Sequence, residues 1–226
     1  MVRKTIAVFG DSHARLFQWI QDRGLCPEII FRVLSVPGAT AYGSTSLRSR
    51  SGFLLAAEEF IQSVGLVDLA LIMLGEVDCS IAANETARER SVLVGGQIRD
   101  AVERLVDFGY RIASAGLCGV PVVFLCPMLP CVKDKDLEKG IQKRRSAGLS
   151  LEERTANCRT FEELLRIKVS DRGGKVESIN DVLCDPKTQM IKTGFLQTNG
   201  NHHLRHRNIY GYWLAKLEKY TEEATA

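Results

Sequence analysis

The chain has 226 residues, enough for one good hydrophobic core and short for two, so one domain spanning 1–226 is expected. Apolar residues make up 45% and charged residues 25%, ordinary for a soluble globular chain. The 30 basic and 27 acidic residues leave a net charge of +3, too near balance for a nucleic-acid binder, and Lys143-Arg144-Arg145 reads as a solvated helix end or loop.

No stretch is apolar for long enough to span a membrane. The short apolar run Thr5 to Phe9 ends in a polar turn and is too short for a secretory leader. The seven cysteines (Cys26, Cys79, Cys118, Cys126, Cys131, Cys158 and Cys184) include no C-x-x-C pair. That pattern argues against a disulfide framework and a zinc knuckle, and fits a reducing, cytoplasmic setting. There the sequon Asn84-Glu85-Thr86 is accidental.

In chain order, Lys4 to Phe9 reads as a buried strand stopped by Gly10. His13 to Arg23 reads as a helix ended by Gly24. Glu28 to Val36 is a second strand, stopped by Pro37-Gly38. Gly52 to Val64 is a helix with Phe53, Ala56, Ala57, Phe60, Ile61 and Val64 on one face. Val67 to Leu74 is the third and most apolar strand. Glu85 to Ala115 is largely helical, with breaks expected at Gly95-Gly96 and near Gly109. Val120 to Cys126 is a fourth strand. Lys133 to Gly148 is the least regular segment, either a loop over a site or an exposed connection. Ser150 to Val169 is a helix opened by the capping box Ser150-Leu151-Glu152-Glu153. Lys175 to Asn180 is a fifth strand, and Leu204 to Tyr220 is the closing helix. This alternation predicts βαβ units around a central parallel sheet of about five strands.

Ligands of open α/β sheets bind beyond the carboxyl ends of the strands. Four polar clusters fall there: Gly10-Asp11-Ser12-His13, Pro37-Gly38-Ala39-Thr40, Gly75-Glu76-Val77-Asp78, and Asn199-Gly200-Asn201-His202-His203-Leu204. Ser12, in a strand-to-helix turn, needs a base to become a nucleophile, and a late histidine can supply it. Gly38 allows close backbone approach and offers an N–H to an oxyanion. Asp11 is expected to shape the turn by accepting backbone N–H groups. His13 reads as a surface residue that assists substrate binding at most. His206 reads as exposed. The histidines near the end have no interleaved carboxylate, which argues against a metal site.

This set of blocks, in this order, resembles the SGNH/GDSL hydrolase superfamily. Val8-Phe9-Gly10-Asp11-Ser12-His13 is the most specific match. The resemblance implies a flavodoxin-like three-layer α/β/α sandwich and hydrolysis of an ester through an acyl-enzyme, with no metal or organic cofactor. Ser12 would be the nucleophile. His203, followed by Leu204 as in the family block, or His202, would be the base. Gly38 and the Ser12 N–H would bind the oxyanion, and the substrate would be a small or carbohydrate-borne ester.

Two positions depart from the family pattern. Its third block supplies an asparagine donor where this chain has Val77. Its last block carries an aspartate three residues before the histidine, where this chain has Asn199 (from His202) or Gly200 (from His203). Gly75-Glu76-Val77-Asp78 is similar to the third block of SGNH-like proteins associated with surface-polysaccharide synthesis. If the strand continued, Val77 would point away while Glu76 and Asp78 faced the site, to bind sugar hydroxyls or hold Arg15. The alternatives to an esterase are therefore a non-hydrolytic protein that binds or transfers a sugar or nucleotide-sugar group, or a degenerate binding module.

Overall fold

A computed structural model describes residues 3–117, 119–132, 134, 148–197 and 202–222. Lys143-Arg144-Arg145, Cys118, Asn199 and most of the segment from Lys133 to Gly148 lie outside the described residues.

Five parallel strands form one sheet: β1 (Lys4–Gly10), β2 (Ile29–Ser35), β3 (Leu69–Met73), β4 (Val122–Leu125) and β5 (Lys175–Glu177). Their order across the sheet is β2-β1-β3-β4-β5. β1 and β3 are central, covered on both faces, and accordingly continuous in apolar side chains.

Ring contacts sort the helices into two layers. On one face, Phe17 of α1 (Arg15–Asp22) meets Phe31 of β2 and Trp213 of the closing helix, whose ring is fully buried. On the other, Phe9 of β1 packs edge-on against Phe60 of α2 (Phe53–Val64) and Phe108 of α4 (Val94–Arg111). Between them in sequence lies α3 (Ala83–Arg90). The remaining helices are α5 (Leu151–Ser170), the single turn α6 (Asn180–Leu183) and the closing α7 (His206–Glu222). The expected capping box is present, with Ser150 and Glu153 bonded reciprocally.

Three expectations need correction. The helical stretch after β3 is interrupted at Ser91, which ends α3 in the left-handed region at φ 54, and not at Gly95-Gly96, which sit in the first turn of α4. Gly109 does not break α4. It lets the helix lie against the sheet, because a Cβ there would fall 2.3 Å from Phe124 Cζ. The fifth strand is short, ending at Glu177 before a buried turn that leads into α6.

The register places the site. Gly10 pairs with both Ser35 and Met73, so β1, β2 and β3 end level with one another. The segments that follow them therefore leave from one rim, at the point where chain order reverses across the sheet.

Candidate active site

Gly10 is where strand meets turn. A Cβ on it would lie 2.6 Å from Met73 O and 2.8 Å from Ala14 Cβ, so only glycine lets the chain turn this tightly against β3. Asp11 then caps a short turn of 3₁₀ helix, Ser12–Ala14, which runs on into α1. Its carboxylate Oδ1 accepts the His13 backbone N–H at 2.8 Å and contacts His13 Nδ1 at 3.0 Å. Ser35 Oγ donates to Asp11 O at 2.9 Å, tying the turn to the end of β2. Asp11 thus shapes the turn as expected.

His13 is a correction. Its side chain is 5% exposed, not on the surface, and forms a buried pair with Asp11. The carboxylate two residues back draws the ring in.

Ser12 is half-buried, and His203 Nε2 lies 2.8 Å from its Oγ. His203 sits in the irregular segment before α7. Leu204 pairs with Leu196 there, and Cys131 Sγ donates to His202 O at 3.2 Å. Between the two late histidines, the serine contact falls to His203. The His202 ring lies alongside, 3.9 Å from that of His203 by centroid. His13 faces the same ring from the other element, at 4.8 Å. His206 is half-buried and packs edge-on against Trp19, a correction to its expected exposure. The sequence offers no helical stripe that would pair a first-turn histidine of α7 with α1.

Burial pushes the His203 imidazole down to about 3, and the nearby imidazoles of His13, His202 and His206 push the same way. Glu76 acts in the opposite sense. The ring is therefore neutral at pH 7, the form that can accept a proton. Among the described residues, no group of three or more His, Cys, Asp or Glu side chains is arranged to hold a metal.

Pro37-Gly38 forms the centre of a turn closed by the Ala39 N–H on Val36 O at 3.1 Å. Gly38 has φ +76, which suits the third position of a type II turn. The third block does not continue the strand. Gly75, at φ +124, redirects the chain, and a helix starts at Glu76, winding through wider π-type turns at 78–82 into α3. Val77 is half-buried on helical backbone and carries no donor. Ser80 Oγ donates to Glu76 Oε1 at 2.7 Å, a pair one helical turn apart that a strand reading hides.

Asp78 accepts from the N–H groups of Ala41, at 2.7 Å, and Tyr42, at 3.0 Å. It thereby pins the loop after β2 to the segment after β3. Burial is the main cause that lifts its carboxyl to about 7, and the Asp11 charge adds to it. The two N–H bonds oppose the shift. Both carboxylates are engaged internally, while Arg15 is exposed on α1. Cys79 is a fully buried thiol pushed up by desolvation and by Cys158, hence an inert packing residue.

Solved structures share this arrangement of strands and helices. A GDSL-like lipase from Bacteroides thetaiotaomicron is 14% identical, matching over 98% of this chain and 89% of its own, with a TM-score of 0.65. The chain has an SGNH/GDSL hydrolase-like fold. Two more matches are the aryl esterase of M. smegmatis (15% identity, 97% and 99% coverage, TM-score 0.62) and a carbohydrate acetylesterase family member from Sinorhizobium meliloti (12%, 91% and 91%, TM-score 0.56). No protein-family model matches the sequence, and no curated protein does. At these identities the likeness carries the SGNH-like fold and no activity. Among the described residues, no helix is long and apolar enough to cross a membrane.

Proposed function

We propose that the chain is a serine esterase that cleaves a small acyl ester, with Ser12 as nucleophile and His203 as general base. The observation that carries this reading is the 2.8 Å contact between His203 Nε2 and Ser12 Oγ, at the end of β1 in an SGNH-like fold. A neutral imidazole at that distance takes the hydroxyl proton as Oγ attacks the carbonyl carbon. The tetrahedral oxyanion is met by the N–H groups of Ser12 and Gly38. Collapse passes the proton to the departing alcohol and leaves the acyl group on Ser12. Water then repeats the sequence with His203 as base and frees the acid.

Val77 adds no donor to this oxyanion hole. One missing donor typically costs about 100- to 1000-fold in rate, so the enzyme is expected to be slow with activated esters. An acylated carbohydrate is the favoured substrate class, supported by the fold likeness to the carbohydrate acetylesterase family member. The rival in which Glu76 and Asp78 bind a sugar has less support, since both already accept hydrogen bonds from Ser80, Ala41 and Tyr42. Six cysteines buried as thiols support a reducing, cytoplasmic compartment.

Release of p-nitrophenol from its acetate, and of acetate from a peracetylated sugar, tests the reading. Turnover by the wild type and its loss in Ser12→Ala are expected. Equal turnover by the two proteins would remove Ser12 from the mechanism.

A further inference from the structure

His203 lies on an irregular segment, yet a general base must be held within a fraction of an ångström of its partner. A carboxylate usually does this from the far nitrogen of the ring.

What the structure places against His203 from a rigid element is His13. That ring is on the 3₁₀ turn at the end of β1, the same turn that presents Ser12. One oxygen of Asp11 holds it twice, through the backbone N–H at 2.8 Å and through Nδ1 at 3.0 Å. Capping the turn requires only the first of these bonds. The second fixes the rotation of the imidazole. Both side chains are nearly out of water, Asp11 at 2% and His13 at 5% exposure. Burying such a pair is costly unless its geometry is well satisfied, so it is a poor choice for packing alone. The ring so fixed faces His203 at 4.8 Å and 53°, while His202 covers His203 at 3.9 Å and 41°. The base is confined between two imidazoles, one of them rigidly mounted.

We infer that His13, locked by Asp11, is a positioning residue for His203, helping to hold the base against Ser12. This rests on the esterase reading for its purpose, though not for its geometry. The groups facing His203 are His13 from the 3₁₀ turn, His202 from its own segment, His206 from α7 and Glu76 from the start of the helix after β3. The first three oppose a positive charge on His203, and Glu76 favours one. Removing His13 therefore lets His203 take a proton at higher pH and loosens its ring.

The test is an NMR titration of histidine-labelled protein, wild type against His13→Phe and Asp11→Asn, paired with the pH profile of ester hydrolysis. Phe keeps a ring of similar size but loses the ring nitrogens and with them the bond to Asp11. Asp11→Asn keeps the imidazole and weakens its lock. In His13→Phe, His203 is expected to titrate about one pH unit higher than in the wild type, because the His13 imidazole opposes a positive charge on His203. The acid limb of kcat should move with it, kcat should fall at least tenfold, and KM should change little. Asp11→Asn should lower kcat in the same direction. Unchanged titration of His203 in His13→Phe overturns the inference, as does a loss confined to KM. If the wild type fails to hydrolyse esters, the esterase reading falls, and the His203 titration still decides whether His13 governs that ring.

Discussion

Gly109→Ala tests how α4 is seated on the sheet. In an exposed helix, replacing Gly with Ala gains about 1 kcal/mol, because the unfolded chain loses freedom and the helix gains propensity. At Gly109 the new Cβ would lie 2.3 Å from Phe124 Cζ, 2.6 Å from its Cε1 and 2.9 Å from Ile72 Cδ1. Neither neighbour can step aside: both are fully buried, and the Phe124 ring is also packed on Tyr110 at 5.9 Å. Overpacking of this kind costs about 1–3 kcal/mol, and two clashing side chains place it at the upper end. The net expectation is a loss of about 1–2 kcal/mol, or a Tm about 2–8 °C lower for a chain of this size. Gly95→Ala and Gly96→Ala are the controls, since a Cβ at either meets nothing within 4 Å. They should hold or raise Tm. Thermal melts followed by circular dichroism decide the matter, and a Gly109→Ala protein as stable as its Gly95→Ala counterpart would refute the close seating of α4.

Val77→Asn restores a side-chain donor at the family position, and kcat for p-nitrophenyl acetate should rise about tenfold or more with KM little changed. An unchanged kcat would show that this position does not face the oxyanion. Asp78→Asn replaces an acceptor of two backbone N–H groups and should cost about 1–3 kcal/mol in urea unfolding at pH 4, where Asp78 is protonated in the folded protein. Because the folded carboxyl is raised to about 7, the wild type loses stability from Asp78 as pH climbs from the unfolded value of 3.8 towards 7. The variant escapes that loss, so its stability relative to the wild type should improve across that window, and a constant difference would contradict a raised Asp78. For His203 the sign is reversed. Its folded value of about 3 lies below the ordinary 6.5, so the unfolded chain binds more protons between the two and stability falls as pH drops through that range. His203→Gln should flatten this fall, and a His203→Gln protein with the wild-type slope would argue against the depressed imidazole.

The outline of the sheet was legible because strands buried on both faces must be continuously apolar, and each was stopped by a glycine, a proline or a polar cluster. The Ser150 capping box was legible from local pattern, whereas the late histidine, 191 residues from Ser12, was legible from the need of a serine for a base and from the order of the family blocks. Other features depended on tertiary contacts that local pattern does not carry. Ser91 ends α3 in a left-handed conformation without the glycine that usually signals it. Gly109 looks like a breaker until Phe124 is seen beneath it. Gly75 turns the third block into a helix, so Glu76 and Asp78 become partners of Ser80, Ala41 and Tyr42 and not a strand face. His13 looked like a surface residue because nothing in Gly-Asp-Ser-His says that one Asp11 oxygen binds both its N–H and its ring.

Whether Ser12 is a nucleophile activated by His203 is tested most directly by a fluorophosphonate, which reacts covalently with an activated serine and not with an ordinary one. Intact-mass and peptide mass spectrometry at pH 7.5 should find one adduct per chain, on the peptide containing Ser12, with no adduct in Ser12→Ala and much slower labelling in His203→Ala. A folded wild-type protein that stays unlabelled, or an adduct retained in Ser12→Ala, would contradict it.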